Sequence, residues 1–248
     1  NAVYIDLTNG YGKNPSTACQ LRFSSDGAPS ASLQKELFDK LSKAKPPQRN
    51  LDWDKIARIS ENQWWTNTSA EIIETPIGGY GSSELLKIWF GENNEKRVCA
   101  HGMLGAATGA GKSTLYHVLI MGLAIRYSPE ELKLYLIDGK QGVEFQPYRD
   151  LPHAEVVSLH SPPELSRSVL AELLAQMEYR YTLFSEEGVR VQDLAGYYRK
   201  GQPRGKLPRI ILLVDEYQEL FEGDQDGIAS NYLLKLSQQG RAAGIHML

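Results

Sequence analysis

Residues 104–114 read LGAATGAGKST, which is the spacing of a phosphate-binding (Walker A) loop: a small residue, four further residues, then Gly-Lys-Ser. The backbone N–H groups of such a loop must turn toward one polyphosphate, and Gly109 and Gly111 give the chain the freedom to do so. Lys112 would reach the β- and γ-phosphate oxygens, and Ser113 would place its hydroxyl on Mg²⁺. The motif therefore predicts a site for ATP and Mg²⁺.

The loop departs from the usual pattern at one position, since Ala106 stands where the first glycine is expected. An alanine is tolerated there if its φ is negative, but it weakens the match. An ordinary glycine-rich turn followed by a chance Lys-Ser is the alternative interpretation of this motif alone. The predicted nucleotide-binding residues are Ala106, Ala107, Thr108, Gly109, Ala110, Gly111, Lys112, Ser113 and Thr114.

Apolar residues on both sides of the loop predict the elements that hold it. Residues 98–105 are expected to form a short buried strand that leads into the loop. A helix that begins at the loop would direct the positive end of its dipole at the phosphates. The residues at helical spacing that predict this helix are Leu115, Val118, Leu119, Gly122 and Leu123.

A second motif, RIILLVDE at residues 209–216, is a run of five apolar residues that ends in two acids. Such a run is typical of a buried parallel strand that delivers carboxylates to its C-terminal edge, the Walker B pattern. Asp215 would hold Mg²⁺ through a water molecule, and Glu216 would orient and deprotonate the attacking water. Hydrolysis as well as binding is therefore expected, with Glu216 and Lys112 as catalytic residues. The alternative is a strand that ends in a solvated acidic turn.

Composition allows this interpretation and excludes several others. The 248 residues, 42% of them hydrophobic, suffice for one α/β domain with an extension. A net charge of −3 gives no basic excess that would by itself indicate nucleic-acid binding. Cys19 and Cys99 have no metal or redox spacing, which favours a reduced, cytoplasmic protein. Without a run of eighteen apolar residues, no membrane contact is expected within this segment.

A proline-containing linker, KPPQRN at residues 45–50, divides the chain. Residues 1–50 predict a small N-terminal extension and linker. Its polar first 30 residues or so are expected to be extended or loosely ordered chain, with strand character at residues 3–7, and a helix is expected at residues 31–44. Residues 51–248 predict the main domain.

Within the main domain, Leu132–Asp138 is expected to be a buried strand that ends in an acid. A long helix capped by Ser161 would carry an apolar stripe from Leu165 to Phe184. The tryptophans near the start of the domain either cap its core, which we favour, or form a stacking platform for nucleic acid; they are Trp53, Trp64 and Trp65.

Several segments resemble the FtsK/SpoIIIE motor ATPases in sequence and in order, among them HGMLGAATGAGKST, LYLIDGKQGVEFQPYRDLPHAEVV, LPRIILLVDEYQELF and QGRAAGIHML. The resemblance covers about residues 75–248. It implies an α/β fold: a RecA-like P-loop NTPase core with a mainly parallel central sheet flanked by helices. It also implies self-association into a ring, commonly a hexamer, in which ATP lies between subunits.

The resemblance assigns roles to further residues. Arg241 matches an arginine that in such rings can face the nucleotide of the neighbouring subunit, so a catalytic arginine finger is expected there. The alternative is a solvated arginine at a helix end. Asp138 and Lys140 match the IDxK turn of the family, where they would support the site or approach the channel.

Two functions remain from this resemblance. A translocase of double-stranded DNA is favoured, because the better-known members move duplex DNA through the ring. A secretion or coupling ATPase like those of type VII systems, acting on polypeptide, is the alternative, and the acidic composition fits it slightly better. A P-loop module that acts only as a regulatory switch is disfavoured, since Glu216 is present.

The ends of the chain also carry an expectation. The sequence starts without Met and stops at GIHML, where we predict that a buried strand begins. It ends before the Thr-Gln or Ser-Gln sensor of the family and shows no winged-helix domain, which makes a role in chromosome segregation less favoured. We therefore expect an ATPase domain that is truncated at its C-terminal end.

Overall fold

The computed structural model describes residues 4–6, 11–13, 20–22, 29–43, 52–80, 84–107, 109–139, 143–159 and 163–248. These residues belong to two compact units, Asn1–Asn50 and Leu51–Leu248. The first unit contains three short antiparallel strands and one helix: β1 (Tyr4–Asp6), β2 (Tyr11–Lys13), β3 (Gln20–Arg22) and α1 (Ala31–Lys43). The predicted strand at residues 3–7 and helix at residues 31–44 are thereby confirmed, whereas linker residues 45–50 lie outside the described residues.

The second unit is built on a four-stranded sheet in the order β10-β9-β7-β8, in which every neighbouring pair is parallel. Parallel strands are covered by helices on both faces, which is why β9 contains an unbroken run of five apolar residues and β7 is apolar except for Lys133 and its final acid. The predicted strands at these two positions are confirmed. The strands are β7 (Leu132–Asp138), β8 (Ala154–Leu159), β9 (Arg209–Asp215) and β10 (Ile245–Met247).

Alternate residues of β7 and β9 face two separate cores. Leu136 and Leu213 belong to the core that α3 (Lys112–Ala124) covers. Tyr135 and Leu212 belong to the core covered by α4 (Pro163–Ser185) and α6 (Ile228–Gln239). Burial of each such leucine contributes about 2 kcal/mol, so the sheet is fixed from both sides.

The predicted long helix is confirmed as α4. Met177 and Phe184 of its apolar stripe are buried, whereas Leu165, in the first turn, is exposed. The predicted cap Ser161 lies outside the described residues. Among the helices that the structure describes, none has both the length and the apolar character needed to cross a membrane.

A second, antiparallel sheet precedes the glycine-rich loop. Its strands are β4 (Ile72–Tyr80), β5 (Glu84–Glu92) and β6 (Val98–Cys99), in that order. Two short helices complete this unit, α2 (Trp53–Ala57) and α5 (Leu194–Arg199).

The prediction of a buried strand at residues 98–105 is wrong in extent and in burial. Only β6 is extended, it pairs with β5 rather than with the parallel sheet, and Met103 is exposed. The chain leaves the antiparallel sheet at this point and follows β10, to which Gly102 N–H donates one hydrogen bond at Met247 O, 2.8 Å.

Trp53, Trp64 and Trp65 all have exposed side chains. Trp65 is attached to the domain, because its indole N–H donates to Ala124 O (2.9 Å) and its ring lies edge-on to His153.

His246 of β10 is fully buried and joins three segments. Its Nε2 lies 2.9 Å from Nη1 of Arg209, and its Nδ1 lies 2.7 Å from Ala100 O. Because a guanidinium can only donate, Nε2 accepts and Nδ1 carries the proton that is donated to Ala100. Burial, and then the charge of Arg209, lower the pKa of His246 to about 3. The ring is therefore neutral at physiological pH.

This neutral histidine predicts a pH-dependent stability. An unfolded histidine titrates near pH 6.5, so below that pH the unfolded state binds a proton that the folded state does not. The free energy of unfolding should therefore fall as the pH drops from about 6.5 toward 3, by about 1 kcal/mol per pH unit from this residue. Urea unfolding at about pH 7.5, 6 and 5 measures the slope.

His246→Gln is the matched variant, because glutamine can donate and accept but does not titrate. It should be less stable at neutral pH, and its slope below pH 6.5 should be smaller by about 1 kcal/mol per pH unit. His101 and His153, whose pKa values are also lowered by burial, contribute equally to both proteins. Identical slopes would contradict the assignment.

Candidate active site

The glycine-rich loop lies at the carboxyl edge of the parallel sheet and ends at the N-terminus of α3. Gly109 and Gly111 have φ angles of +77° and +95°, a region that glycine adopts without strain. The loop borders a pocket of about 480 Å³. The predicted site residues that line this pocket are Ala106, Ala107, Gly109, Gly111, Lys112, Ser113, Thr114, Asp215 and Glu216.

Of the predicted loop residues that the structure describes, Ala110 is not among the pocket-lining residues. Ala110 belongs to the loop, where its N–H donates to Ala107 O, 3.0 Å. Thr108 lies outside the described residues, as does Lys140 of the turn after β7.

The register of the sheet places two acids side by side at the pocket. Asp138 at the end of β7 is paired with Asp215 at the end of β9, and both side chains are buried. Gly139 N–H donates to Asp215 O (3.2 Å), and a Cβ at Gly139 would lie 2.8 Å from Cβ and Cγ of Glu219. A glycine is therefore required where the ends of the two strands approach each other.

Glu216 follows the strand in a left-handed conformation, with φ of +55°. This conformation is uncommon for a residue other than glycine, and five other described residues of the chain also adopt it. It begins a short 3-10 helix, Tyr217–Phe221. The Glu216 carboxylate is held at the pocket by Lys112 and by Gln218, whose Nε2 donates to Oε2, 2.6 Å.

Lys112 connects the two motifs. Its Nζ lies 2.7 Å from Oδ1 of Asp215 and 2.8 Å from Oε1 of Glu216. Hydrogen bonds to Asp215 and then to Glu216 raise the pKa of Lys112, which keeps it charged at neutral pH. A bound polyphosphate would replace these carboxylates as the partner of the ammonium.

The donor set fits magnesium. Mg²⁺ prefers hard oxygen ligands and is bound by one or two carboxylates together with phosphates and water. Asp215 and the Ser113 hydroxyl supply such oxygens at the pocket. Among the described residues no group of three or more His, Cys, Asp or Glu side chains could hold a metal ion alone. A metal at this site would therefore depend on the nucleotide.

Two polar residues of the site were missed by the sequence analysis. Ser113 Oγ donates to Oε1 of Glu144 (2.7 Å), and Glu144 N–H donates to Oδ2 of Asp138 (3.0 Å). Gln218 is the second. Glu144 lies within the segment LYLIDGKQGVEFQPYRDLPH, six residues after the end of β7, and no spacing in the sequence marks it as a neighbour of Ser113.

Arg241 is not brought to this pocket. It lies in the turn between α6 and β10, at the amino-terminal end of the parallel sheet, and it is exposed. There it borders a separate pocket of about 130 Å³ that also contacts Asp193, Arg199 and Arg209. An arginine that acts on the nucleotide of a neighbouring subunit must lie away from the nucleotide pocket of its own chain. The position of Arg241 agrees with this hypothesis but does not test it.

Three features define a P-loop ATPase domain: a parallel sheet, a glycine-rich loop that precedes a helix, and a buried acid at the end of a strand beside that loop. The FtsK/SpoIIIE family profile matches residues 56–248, and the chain belongs to this family. The predicted family and fold class are both confirmed.

Relatives whose names indicate different functions are similar to this chain. The ESX secretion system protein YukB of Bacillus subtilis is 29% identical over 191 residues, covering 76% of this chain and 12% of YukB. The DNA translocase FtsK of Streptococcus pyogenes serotype M3 is 30% identical over 204 residues, covering 78% of this chain and 24% of FtsK. The chain thus spans about a quarter or less of the length of either relative.

A solved structure supports the fold. The cytoplasmic domain of the Thermomonospora curvata type VII secretion ATPase EccC superposes with a TM-score of 0.68 at 22% identity, covering 81% of this chain and 24% of EccC. At this level of identity the likeness concerns the fold alone.

The contacts of Lys112 predict that binding and turnover can be separated by two substitutions. Lys112→Ala should abolish productive ATP binding, because the phosphates lose their ammonium partner. Glu216→Gln should keep ATP bound but slow hydrolysis by at least about 100-fold, since the amide cannot accept a proton from water. A fluorescent ATP analogue measures binding, and phosphate release measures turnover. Glu222→Gln, an exposed change nearby, is the control; wild-type turnover by Glu216→Gln would exclude the general-base role.

Proposed function

We propose that this chain is the Mg²⁺-dependent ATP-hydrolysing motor domain of a translocase that moves double-stranded DNA. The observation that carries the ATPase part is the contact of Lys112 with both Asp215 and Glu216. It brings the phosphate-binding ammonium, the metal-holding acid and the candidate general base together at one pocket. Residues 51–248 would form the motor, and residues 1–50 an extension to it.

Each residue then has a defined task in hydrolysis. Loop residues 106–114 would surround the phosphates, and Ser113 and Asp215 would hold Mg²⁺, the latter through water. When bound, Mg²⁺ would supply positive charge to the β- and γ-phosphates. Glu216 would accept the proton of the attacking water, and its contact with Gln218 restricts where that carboxylate can lie.

The cargo and the assembly are the further parts of the proposal. Similarity to FtsK, which extends over 204 residues, supports duplex DNA as the cargo. Since the net charge is −3, DNA would be held by local lysines and arginines that face the channel of a ring, commonly a hexamer, rather than by the whole surface. A cytoplasmic location would supply both ATP and DNA.

Polypeptide is the second candidate cargo. Similarity to YukB favours it, and so does the absence of a basic excess in the composition. In this case the ATPase chemistry of the site would be unchanged, but stimulation by DNA would be lacking.

Steady-state ATPase activity with and without long duplex DNA tests the choice. We expect strong stimulation by duplex that falls steeply between low and high salt, because phosphate contacts release counterions. Lys112→Ala serves as the blank. ATPase activity indifferent to DNA in a verified oligomer would reject the DNA cargo and favour polypeptide.

We further propose that Arg241 acts on the neighbour's nucleotide, and mixing of subunits tests it. Arg241→Ala should bind ATP normally and lose about 100-fold or more of its turnover in the ring, because developing charge is no longer stabilised. Adding Lys112→Ala subunits, which retain Arg241, should restore part of the activity. Arg199→Ala, in the same pocket, is the control. Wild-type turnover by Arg241→Ala in a confirmed ring would exclude this role and direct the search to Arg149 or Arg190.

A further inference from the structure

Glu144 contacts the predicted metal ligand Ser113 but has no assigned role. Its Oε1 accepts a hydrogen bond of 2.7 Å from Ser113 Oγ, and its side chain borders the same pocket as Lys112 and Asp215. It comes from the segment after β7, whereas Ser113 is in the first turn of α3. The contact therefore joins two elements across the pocket.

Neighbouring residues attach the Glu144 segment firmly to α3. Phe145 is fully buried and lies edge-on to Tyr116, with ring centroids 5.5 Å apart. The Tyr148 hydroxyl and Nδ1 of His117 are hydrogen-bonded, 2.6 Å apart. Asp138 accepts the backbone N–H of Glu144. The Glu144 carboxylate is thereby held beside Ser113 by contacts of residues that precede and follow it in the chain.

The chemistry of a hydroxyl gives this contact a direction. A serine hydroxyl has one proton and two lone pairs. Donation of the proton to Glu144 leaves both lone pairs available, so the same oxygen can bind a metal ion while the hydrogen bond persists. A hydrogen bond from the hydroxyl to a carboxylate also makes the hydroxyl oxygen more electron-rich. Hydrogen-bond partners of metal ligands commonly raise metal affinity in this way.

We propose that Glu144 is a positioning residue for the magnesium–nucleotide complex, which orients Ser113 Oγ so that its lone pair points at Mg²⁺. This inference rests on the proposed ATP site. Glu144 should therefore affect the affinity for nucleotide when Mg²⁺ is present, and should not affect the affinity for nucleotide when Mg²⁺ is removed.

Glu144→Ala separates these two parts. We expect its affinity for a fluorescent ATP analogue to fall by about tenfold in Mg²⁺ and to change by less than about twofold in EDTA. Glu187→Ala, which removes an equal charge from an exposed turn after α4, should match the wild type in both conditions. An unchanged affinity in Mg²⁺, or an equal loss in Mg²⁺ and EDTA, would overturn the inference.

A double substitution tests whether Glu144 acts through Ser113. In a Ser113→Ala background, Glu144→Ala should weaken Mg²⁺-dependent binding by less than about twofold further, since its partner is absent. A full additional tenfold loss would show that Glu144 acts by another route and would overturn the inference. Failure of the ATP site itself is distinguishable, because the wild type and Lys112→Ala would then bind the nucleotide with the same affinity.

Discussion

The parallel pairing of β7 with β9 is the constraint on which the site depends. Because the two strands run in the same direction and in register, their carboxyl ends coincide and Asp138 stands beside Asp215. Buried residues on both faces prevent a shift of either strand by one residue, which would turn every core side chain to the opposite face. The loop, Glu144 and Glu216 all take their positions from this edge.

Placing acids at a buried edge has an electrostatic cost that the loop offsets. Asp215 is almost fully buried, and removal of one partner from such an ion pair is strongly destabilising. Lys112 supplies the compensating charge, yet one ammonium faces two carboxylates, Asp215 and Glu216. The site therefore carries a residual negative charge that a divalent cation would neutralise. Binding of a metal–nucleotide complex would thus be an exchange of partners: the ammonium would move to phosphate, Asp215 would hold the metal through water, and Glu216 would be left to act on water.

The sequence predicted the helices and strands that are buried along most of their length. It did not predict the segment whose strand pairing changes within a few residues. β7, β9 and α4 are covered along most of their length, so composition alone identifies them. Residues 98–105 change from one sheet to another within a few positions, and no periodicity records such a change. Glu144 could not be found by spacing, because its distance from Ser113 is set by how the segment after β7 folds back over α3.

Burial also separates the parts of the site that stay fixed from the parts that must exchange ligands. Asp215 is held by a strand buried on both faces, so its position is determined before any ligand binds. Lys112 and Glu216 are held chiefly by each other, by Asp215 and by Gln218, all through polar contacts at the pocket. Polar contacts of this kind can be replaced by phosphate or water at a small net cost, whereas displacement of a buried strand would expose apolar surface. Ligand exchange should therefore be confined to side chains, while the sheet edge keeps the acids in place.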